Sequence, residues 1–420
     1  MNKREFLKTS SLLGLGSLVQ FTALAKAIEE YSDTKDEDMP SEESFWRAVR
    51  ADYVLPNDYI YLENGYYNIM PSKIALDYES NITDVNYLGA YYMRNNQADN
   101  KKRVTAKLAD LAGCPEDELI ITRNTTESLD MIISGLDWRR GDEAIMAEHD
   151  YGAMLNMFKQ VSKRYGMVNK TLSVPLHPKS DEEIVSLYEN AITPKTKLLM
   201  VCHMINITGH VLPIRKICDM AHKHGVLVMV DGAHTIAHLN FKIPELNCDF
   251  YGASLHKWLS APLGCGMLYV KKENISKIWP LFAEDDKPED DILRLNHTGT
   301  HPVATDLTIE NAIDYYRVMG AERKEARLRY LQEYWTSKVR GITNVMVNTP
   351  LEPERNCAIA NVGIKGMKPA DMAKTLFDKY RIYTVAIDKP GVQGCRITPN
   401  VFNTTDELDK LVAAIKEMAA

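Results

Sequence analysis

Two short apolar runs, each ending in chemically reactive side chains, constrain the fold of this chain most strongly. The first, VLVMVDGAHT over residues 226–235, is rich in β-branched residues and turns polar at Asp231. The second, DFYGASLHKWL over residues 249–259, carries Lys257 near its end. Such runs are typical of buried parallel strands, whose carboxyl ends meet at the sheet edge where α/β proteins bind ligands. We therefore expect Asp231 and Lys257 to face one crevice.

A lysine amine and a carboxylate at this spacing suit one kind of chemistry. The amine forms Schiff bases with carbonyls, and a carboxylate beside a pyridine nitrogen keeps that ring protonated as an electron sink. The separation of 26 residues (257 − 231) matches one excursion from strand to connection to strand. Taken alone, Asp231 could cap a turn and Lys257 could be a solvated surface charge.

Composition and charge narrow the class of protein. At 420 residues the chain can bury a large core, and its length suggests two or three domains. The net charge is 50 − 57 = −7 without a block of basic residues, which argues against nucleic acid as a partner. The seven cysteines are scattered and form no CxxC pair, so neither a metal site nor a disulfide framework is indicated.

The first 27 residues have the pattern of a signal peptide. A basic start is followed by an apolar stretch over roughly 11–25 and by small residues suited to cleavage near Ala25 or Ala27. Lys3-Arg4 resembles the twin-arginine export motif, with lysine in place of the first arginine. We expect an exported, periplasmic protein without a stable membrane span after signal removal. Sec export or a retained membrane anchor are the alternatives.

Strands and helices alternate through the middle of the chain. The pattern predicts strands near 118–122, 143–147, 169–174, 197–201 and 264–271, and helices at 99–113 and 214–224. This rhythm predicts a mostly parallel sheet that is covered by helices on both faces.

The two ends of the chain have different patterns. Residues 28–43 are acidic and polar and predict a solvated leader, followed by a helix with Ser41 as its N-cap. Residues 308–340 predict one long helical stretch, which leads into a small α+β domain over 341–420.

The helix start after the strand at 118–122 indicates an anion site. Asn124, followed three residues later by Glu127, has the form of a capping box. This geometry leaves the amides of Thr125 and Thr126 at the positive end of a helix, which attracts anions. Taken alone, the motif could also be a cap without a ligand.

Together these motifs resemble one family. VDGAHT, SLHKW and the glycine-punctuated PLGCGMLYV (262–270) resemble a fold-type-I pyridoxal-phosphate (PLP) enzyme of the class V aminotransferase family, on the isopenicillin-N-epimerase-like branch. The group also holds cysteine desulfurases and kynureninases. The resemblance runs from about Tyr61 to Asn403 and implies an α/β fold with a small C-terminal α+β domain. The implied division is a signal peptide at 1–27, an N-terminal segment and helix at 28–58, a large PLP-binding domain at 59–305, and a connecting helix with a small domain at 306–420.

The resemblance also implies pyridoxal 5′-phosphate as the cofactor and assigns residues to it. Lys257, Asp231 and His234 are the expected catalytic residues. The expected cofactor-binding residues are Thr125, Thr126, His149, Tyr151, Asn206, Asp231, His234, Ser254, His256, Lys257 and Thr300. Either His149 or Tyr151 is expected to stack on the ring, and Asn206 to lie near the ring hydroxyl. Thr300 is expected to reach the phosphate across the interface of a homodimer.

Two further residues are expected to contact the substrate. Arg396, in CRITPNVFN at 395–403, corresponds in the resemblance to the arginine that holds a substrate α-carboxylate. A guanidinium fork matches a carboxylate bidentately, although an arginine on a strand can also be a structural ion pair. Asn64, in YIYLENG at 59–65, is the second candidate, although Asn-Gly also makes a plain turn.

The implied function is PLP-dependent chemistry at the α-carbon of an amino acid or amino-acid-derived metabolite, of the aminotransferase or epimerase type. A C–S or other β-lyase, an enzyme that tailors a secreted peptide or siderophore in the periplasm, and a catalytically silent PLP-fold binding protein are alternatives. Cysteine desulfurase activity ranks low, because it needs a mobile nucleophilic cysteine. Residues 380–394 contain none, and Cys395 adjoins Arg396 on the expected strand.

Overall fold

The strands of the protein fall into one large sheet and two small ones. The computed structural model describes residues 22–283 and 286–420, so Lys3-Arg4 and most of the expected signal peptide lie outside the described residues. The strands are β1 (Ile60–Tyr61), β2 (Leu119–Thr122), β3 (Glu143–Ala147), β4 (Val168–Leu172), β5 (Thr196–Cys202), β6 (Leu227–Asp231), β7 (Phe250–Ser254), β8 (Gly266–Val270), β9 (Val345–Val347), β10 (Ala360–Ile364), β11 (Ile382–Tyr383), β12 (Val385–Lys389) and β13 (Val392–Ile397).

The large sheet has the order β2–β8–β7–β6–β5–β3–β4. Its neighbouring strands pair in parallel, except that β8 runs antiparallel to both β2 and β7. In the register of β5 and β6, Cys202 lies opposite Asp231, and in that of β6 and β7, Asp231 lies opposite Gly252. The carboxyl ends of the three strands therefore meet at one edge, as the sequence predicts.

Helices pack on both faces of this sheet. The described residues form the helices α1 (Thr22–Glu30), α2 (Glu43–Arg50), α3 (Ser72–Leu88), α4 (Ala90–Asn95), α5 (Gln97–Ala112), α6 (Thr125–Gly135), α7 (Gly152–Tyr165), α8 (Asp181–Glu189), α9 (Ile214–Lys223), α10 (Ile243–Leu246), α11 (Val303–Met319), α12 (Ala321–Thr336), α13 (Pro369–Tyr380) and α14 (Thr405–Ala419), of which α13 and α14 belong to a second core. Because side chains alternate along a strand, Leu199 and Val201 of β5 join the core that contains α5 and α9, whereas Leu198 and Met200 join the core of α6 and α7. The predicted mostly parallel, doubly covered sheet is confirmed.

The C-terminal part of the chain forms a smaller unit with its own core. Strands β12–β13–β10–β9 form an antiparallel sheet, and its core contains Trp335, Leu376 and Leu411. Strand β1 pairs in parallel with β11, and Leu62 lies in the same core. The segment after β1 therefore lies where the two parts of the chain meet.

The N-terminal segment packs more tightly than predicted. Leu24, Ala27 and Ile28 of α1 are buried in the main core, and Tyr31 contacts the ring of Phe45 edge-on. The prediction of a solvated leader over 28–43 is therefore wrong at Ile28, which with Leu24 and Ala27 follows the i, i+3, i+4 spacing of a buried helix face. None of the helices within 22–283 and 286–420 is long and apolar enough to cross a membrane.

Two predicted helix boundaries are also wrong. The N-cap of α2 is Glu42, whose side chain accepts the N–H of Ser44 at 3.2 Å, whereas the hydroxyl of Ser41 donates to the carbonyl of Asp38. The predicted single helix over 308–340 is two helices, α11 and α12. They are separated by Gly320, whose φ of +87° ends the first helix.

The turn after β5 depends on a glycine, which gives a test of how the two parts of the chain meet. Gly209 has φ +75°, and a Cβ there would overlap the carbonyl oxygen of Ile359. Gly225 has φ +71°, but a Cβ there would meet no heavy atom within 4 Å. We expect Gly225→Ala to cost about 1 kcal/mol of stability from backbone strain, and Gly209→Ala about 1–3 kcal/mol more from overpacking. Urea unfolding of both variants checks this, and equal losses would contradict the close approach.

Candidate active site

A cavity of about 290 Å³ opens at the carboxyl edge of the large sheet. Ten of the residues predicted from the sequence line it: Thr125, Thr126, Tyr151, Asn206, Asp231, His234, Ser254, His256, Lys257 and Arg396. They come from the ends of β5, β6, β7 and β13 and from the start of α6 and α7. Because parallel strands deliver their carboxyl ends to one edge, residues far apart in the sequence share this cavity.

Lys257 and His234 are in direct contact within the cavity. The Nζ atom of Lys257 lies 3.1 Å from Nε2 of His234. Burial lowers the pKa of Lys257 to about 8, while the nearby carboxylate of Asp231 opposes that shift. Burial also holds the pKa of His234 well below its usual value, and the charge of Lys257 lowers it further. The site therefore favours a neutral imidazole beside an amine that loses its proton easily.

Asp231 ends β6 and is 4% exposed. Its Oδ1 atom accepts the N–H of Ala233 at 2.9 Å, which orients the carboxylate in the turn after the strand. Burial raises the pKa of Asp231, while the bond from Ala233 and the charge of Lys257 counteract the shift. A buried carboxylate in this setting gains from a cationic partner, such as a protonated ring nitrogen.

The start of α6 gathers hydrogen-bond donors at one side of the cavity. Both the backbone N–H and the hydroxyl of Thr125 lie within hydrogen-bond distance of the Ser254 hydroxyl, at 3.1 and 2.7 Å. Asn124 caps the helix by accepting the N–H of Glu127 at 2.9 Å. The predicted reciprocal bond of a capping box is absent there, because Glu127 accepts the N–H of Arg123 instead.

His256 supports an anion at the same place. Its Nδ1 atom is buried and has no hydrogen-bond partner among the described residues. Burial lowers the pKa of His256 to about 4, so its ring is neutral. A buried polar atom without a partner costs about 1–3 kcal/mol, which a bound ligand can recover. The helix terminus of α6, Ser254 and His256 together fit the phosphate of PLP.

Three predicted residues lie outside the cavity. One is His149, which is buried and whose Nε2–H donates to the carbonyl of Pro390 at 2.8 Å. Tyr151, the other residue expected to stack on the ring, is 47% exposed and does line the cavity. Asn64 lies one residue before the cavity lining and donates to the carbonyl of Thr398 at 2.7 Å. Thr300 is exposed on the surface. The functional roles of these residues stay predictions.

A buried ion pair holds Arg396, and its partner, Glu63, was not indicated by the sequence. Its Nε and Nη2 atoms contact the two carboxylate oxygens of Glu63, with Nε 3.4 Å from Oε2, and both side chains are nearly excluded from solvent. The Oε1 atom of Glu63 also accepts the N–H of Tyr66 at 3.1 Å, and Nη1 of Arg396 donates to the carbonyl of Asn206 at 3.2 Å. One N–H on each terminal nitrogen remains, which is the pair that can grip a second carboxylate.

The glycine after Asn64 is the local signal for this arrangement. A Cβ on Gly65 would lie 2.6 Å from the Cζ atom of Arg396, so only glycine lets the guanidinium pass. The sequence pointed to Asn64, but Asn64 lies in a turn and its side chain donates to the carbonyl of Thr398. Glu63, which lies 333 positions before Arg396 in the sequence, is the residue that contacts it.

The fold and the site define a PLP-type α/β enzyme, and comparison with known proteins identifies the family. The profile of the aminotransferase class-V family matches residues 74–410, so the chain belongs to that family, which works with pyridoxal 5′-phosphate. An isopenicillin N epimerase from Amycolatopsis lactamdurans is 27% identical over 332 residues, which are 74% of this chain and 83% of the relative. A probable cysteine desulfurase from Halobacterium salinarum is 26% identical over 405 residues, covering 88% and 95%.

Solved structures agree on the fold. A variant of C-DES with glycine covalently linked to its PLP cofactor matches with a TM-score of 0.79 at 20% identity, over 87% of this chain and 98% of that one. The resemblance predicted from the sequence is confirmed at the level of family, fold and cofactor.

The ion pair of Arg396 predicts a stability effect. Glu63→Ala leaves a buried guanidinium without its carboxylate, which typically costs about 3–5 kcal/mol. We expect a clear drop in the midpoint of chemical unfolding. The matched control is Asp378→Ala, which breaks the exposed pair with Lys374 and should leave the midpoint nearly unchanged. Equally small shifts of the midpoint for both variants would contradict this prediction and indicate that water in the cavity solvates Arg396.

The lowered pKa of Lys257 predicts a pH dependence. In the role expected for Lys257, the neutral amine attaches PLP as a nucleophile, and the neutral fraction rises with pH. In protein stripped of PLP, the rate of attachment should therefore increase up to about pH 8 and then level off. Absorbance of bound PLP gives the rate, and Lys257→Ala, which lacks the amine, is the blank. A rate still rising at the usual lysine pKa would show that the cavity does not shift this amine.

Proposed function

We propose that the protein is a PLP-dependent enzyme that acts at the α-carbon of an amino acid or of a metabolite derived from one, as an aminotransferase or epimerase. The observation that carries this proposal is the shared cavity: the amine of Lys257 and the free N–H pair of Arg396 line the same space. One group can move a proton while the other holds a carboxylate.

The residues divide the work between binding and proton transfer. Bound PLP supplies the electron sink that accepts the electron pair released at the α-carbon. Arg396 binds the substrate carboxylate with its two remaining N–H groups, and Asp231 holds the proton on the ring nitrogen. Lys257, freed when the substrate amine takes its place, is the general base for the α-proton, a role that contributes about 10²–10⁴ in rate.

The branch of the reaction depends on where that proton returns. Its return to the other face of the α-carbon would give epimerisation, and transfer of the amino group to the cofactor would make the protein an aminotransferase. The similarity to an isopenicillin N epimerase supports the first outcome. Loss of a β-substituent gives a lyase.

Desulfurase or C–S lyase chemistry is the second candidate, because several of the similar proteins carry that name. All seven cysteines of the chain are buried. Burial raises the pKa of Cys395 to about 12, and its sulfur lies 3.8 Å from the carbonyl of Pro369. Cys202, which lines the cavity, has a pKa held well above its usual value by burial. These features favour the first proposal over a desulfurase, because the thiolate nucleophile of a desulfurase must be accessible and ionised.

A spectroscopic panel separates these activities. The mature holoenzyme is mixed with L- and D-amino acids in deuterated water, and Lys257→Ala is the control. Deuterium at the α-carbon with inverted configuration indicates an epimerase, and a 2-oxo acid with pyridoxamine phosphate indicates an aminotransferase. Sulfide released from cysteine indicates a desulfurase or lyase. A protein that stays colourless with added PLP would overturn the enzyme proposal and support a silent binding protein.

We also propose that the protein is exported and modifies a secreted peptide or amino-acid metabolite in the periplasm. The Lys3-Arg4 segment and the apolar stretch after it support export. Cell fractionation and the mass of the mature N-terminus test it. Cleavage after Ala25 would remove Leu24, which is fully buried in the core, so an intact α1 in an exported protein would point to a different cleavage site or a retained anchor.

A homodimer in which the partner subunit's Thr300 reaches the phosphate belongs to the same proposal. Thr300 is exposed, and so are the large apolar side chains of Leu76 and Tyr87 in α3 and of Tyr91 in α4. Light scattering gives the mass in solution. Thr300→Ala should weaken PLP binding without changing that mass, and a monomer with normal PLP affinity would overturn the proposal.

A further inference from the structure

The residue after the PLP-attaching lysine is a tryptophan with no exposed surface. Trp258 is 0% exposed, and its indole N–H donates to Nδ1 of His234, with 3.4 Å between the two nitrogens. The indole nitrogen can only donate a hydrogen bond. His234 must therefore accept at Nδ1, whatever its other nitrogen does.

This contact determines where the imidazole carries its proton. A neutral histidine has one N–H, and because Nδ1 accepts from Trp258, the proton lies on Nε2. Nε2 is the nitrogen that lies 3.1 Å from Nζ of Lys257. An N–H on Nε2 can bond only to a lone pair, and an ammonium group has none. The geometry therefore matches a neutral amine on Lys257.

The opposite arrangement is disfavoured by the same tryptophan. If a protonated Lys257 donated to Nε2, the imidazole proton would have to lie on Nδ1. Two donors, Nδ1–H of His234 and the indole N–H, would then face each other in a buried space. Leaving a buried donor unpaired is unfavourable, because its lost bond to water is not replaced.

The indole is fixed from several sides. His238 stacks on Trp258 with 3.7 Å between the ring centroids and 28° between the ring planes. His238 accepts the N–H of Ala358 at Nε2 and donates from Nδ1 to the carbonyl of His234, so its own tautomer is set. The ammonium group of Lys324 contacts the carbonyl of Trp258. The packing around the ring, as well as the hydrogen bond to His234, thus fixes the direction of the indole N–H.

We propose that Trp258 is a positioning residue, which fixes the Nε2–H tautomer of His234 and thereby holds Lys257 as a neutral amine ready to attach PLP. The inference rests on Lys257 as the attachment point of the cofactor in the proposed function, but not on any branch of the reaction. Trp258 itself is not among the residues that line the cavity.

The test is Trp258→Phe, which keeps an aromatic ring to stack on His238 and removes the N–H. In full-length protein stripped of PLP, the rate of PLP attachment at pH 7 should fall about threefold to tenfold, and its pH midpoint should move upward, as expected for the loss of one hydrogen bond. The matched control is Trp46→Phe, which removes another buried indole N–H, one that donates to the carbonyl of Met39 at 2.8 Å. That control should leave both the rate and the midpoint unchanged.

A second measurement keeps the inference testable if Trp258→Phe folds poorly. Nitrogen NMR of the wild-type protein labelled at histidine, with His234→Gln to assign the signal, should show the proton of His234 on Nε2. A proton on Nδ1, or an unchanged midpoint in folded Trp258→Phe, would overturn the inference and leave the proposed function intact. Failure of the wild-type protein to attach PLP would instead overturn the assignment of Lys257.

Discussion

The parallel pairing of β6 with β7 is the constraint on which the site depends. It sets Asp231 opposite Gly252 and brings Ser254, at the end of β7, and Lys257, in the turn after it, to the same sheet edge. Strands that are buried on both faces cannot easily shift in register. A shift of one residue would move each apolar side chain from the core on one face of the sheet to the core on the other face. The spacing of the two reactive groups is thus fixed by the core of the protein, and not by the loops that carry them.

Burial then gives those groups their chemistry. Lys257 and His234 share a cavity whose walls disfavour charge, so an amine and an imidazole that are charged or half-charged in water tend toward their neutral forms. Asp231 opposes this tendency from the neighbouring strand. The same desolvation would make Arg396 costly, and Glu63 offsets its charge. The cavity therefore holds a neutral amine and a neutral imidazole close to the ion pair of Arg396 and Glu63.

Local sequence patterns predicted the large sheet and most of the cavity because those patterns report short-range physics. Short continuous apolar runs predicted β5 to β7, and the capping pattern at Asn124 predicted the anion-binding start of α6. The contacts that the sequence patterns did not predict join residues that are far apart in the chain. Glu63 and Arg396 are 333 positions apart, and no periodicity reports a pair that forms only when two parts of the chain meet. The helix α1 was missed because an apolar stretch at the start of a chain fits a signal peptide as well as a packed helix.

The position of Arg396 has a consequence for how this protein can change. Its strand, β13, belongs to the smaller sheet, whereas Lys257 follows a strand of the larger one. Under the proposed function, recognition of the substrate's acid group and transfer of its proton lie on separate structural units. Mutations in the C-terminal unit can therefore alter substrate preference over evolutionary time, while the proton-transfer machinery is inherited unchanged.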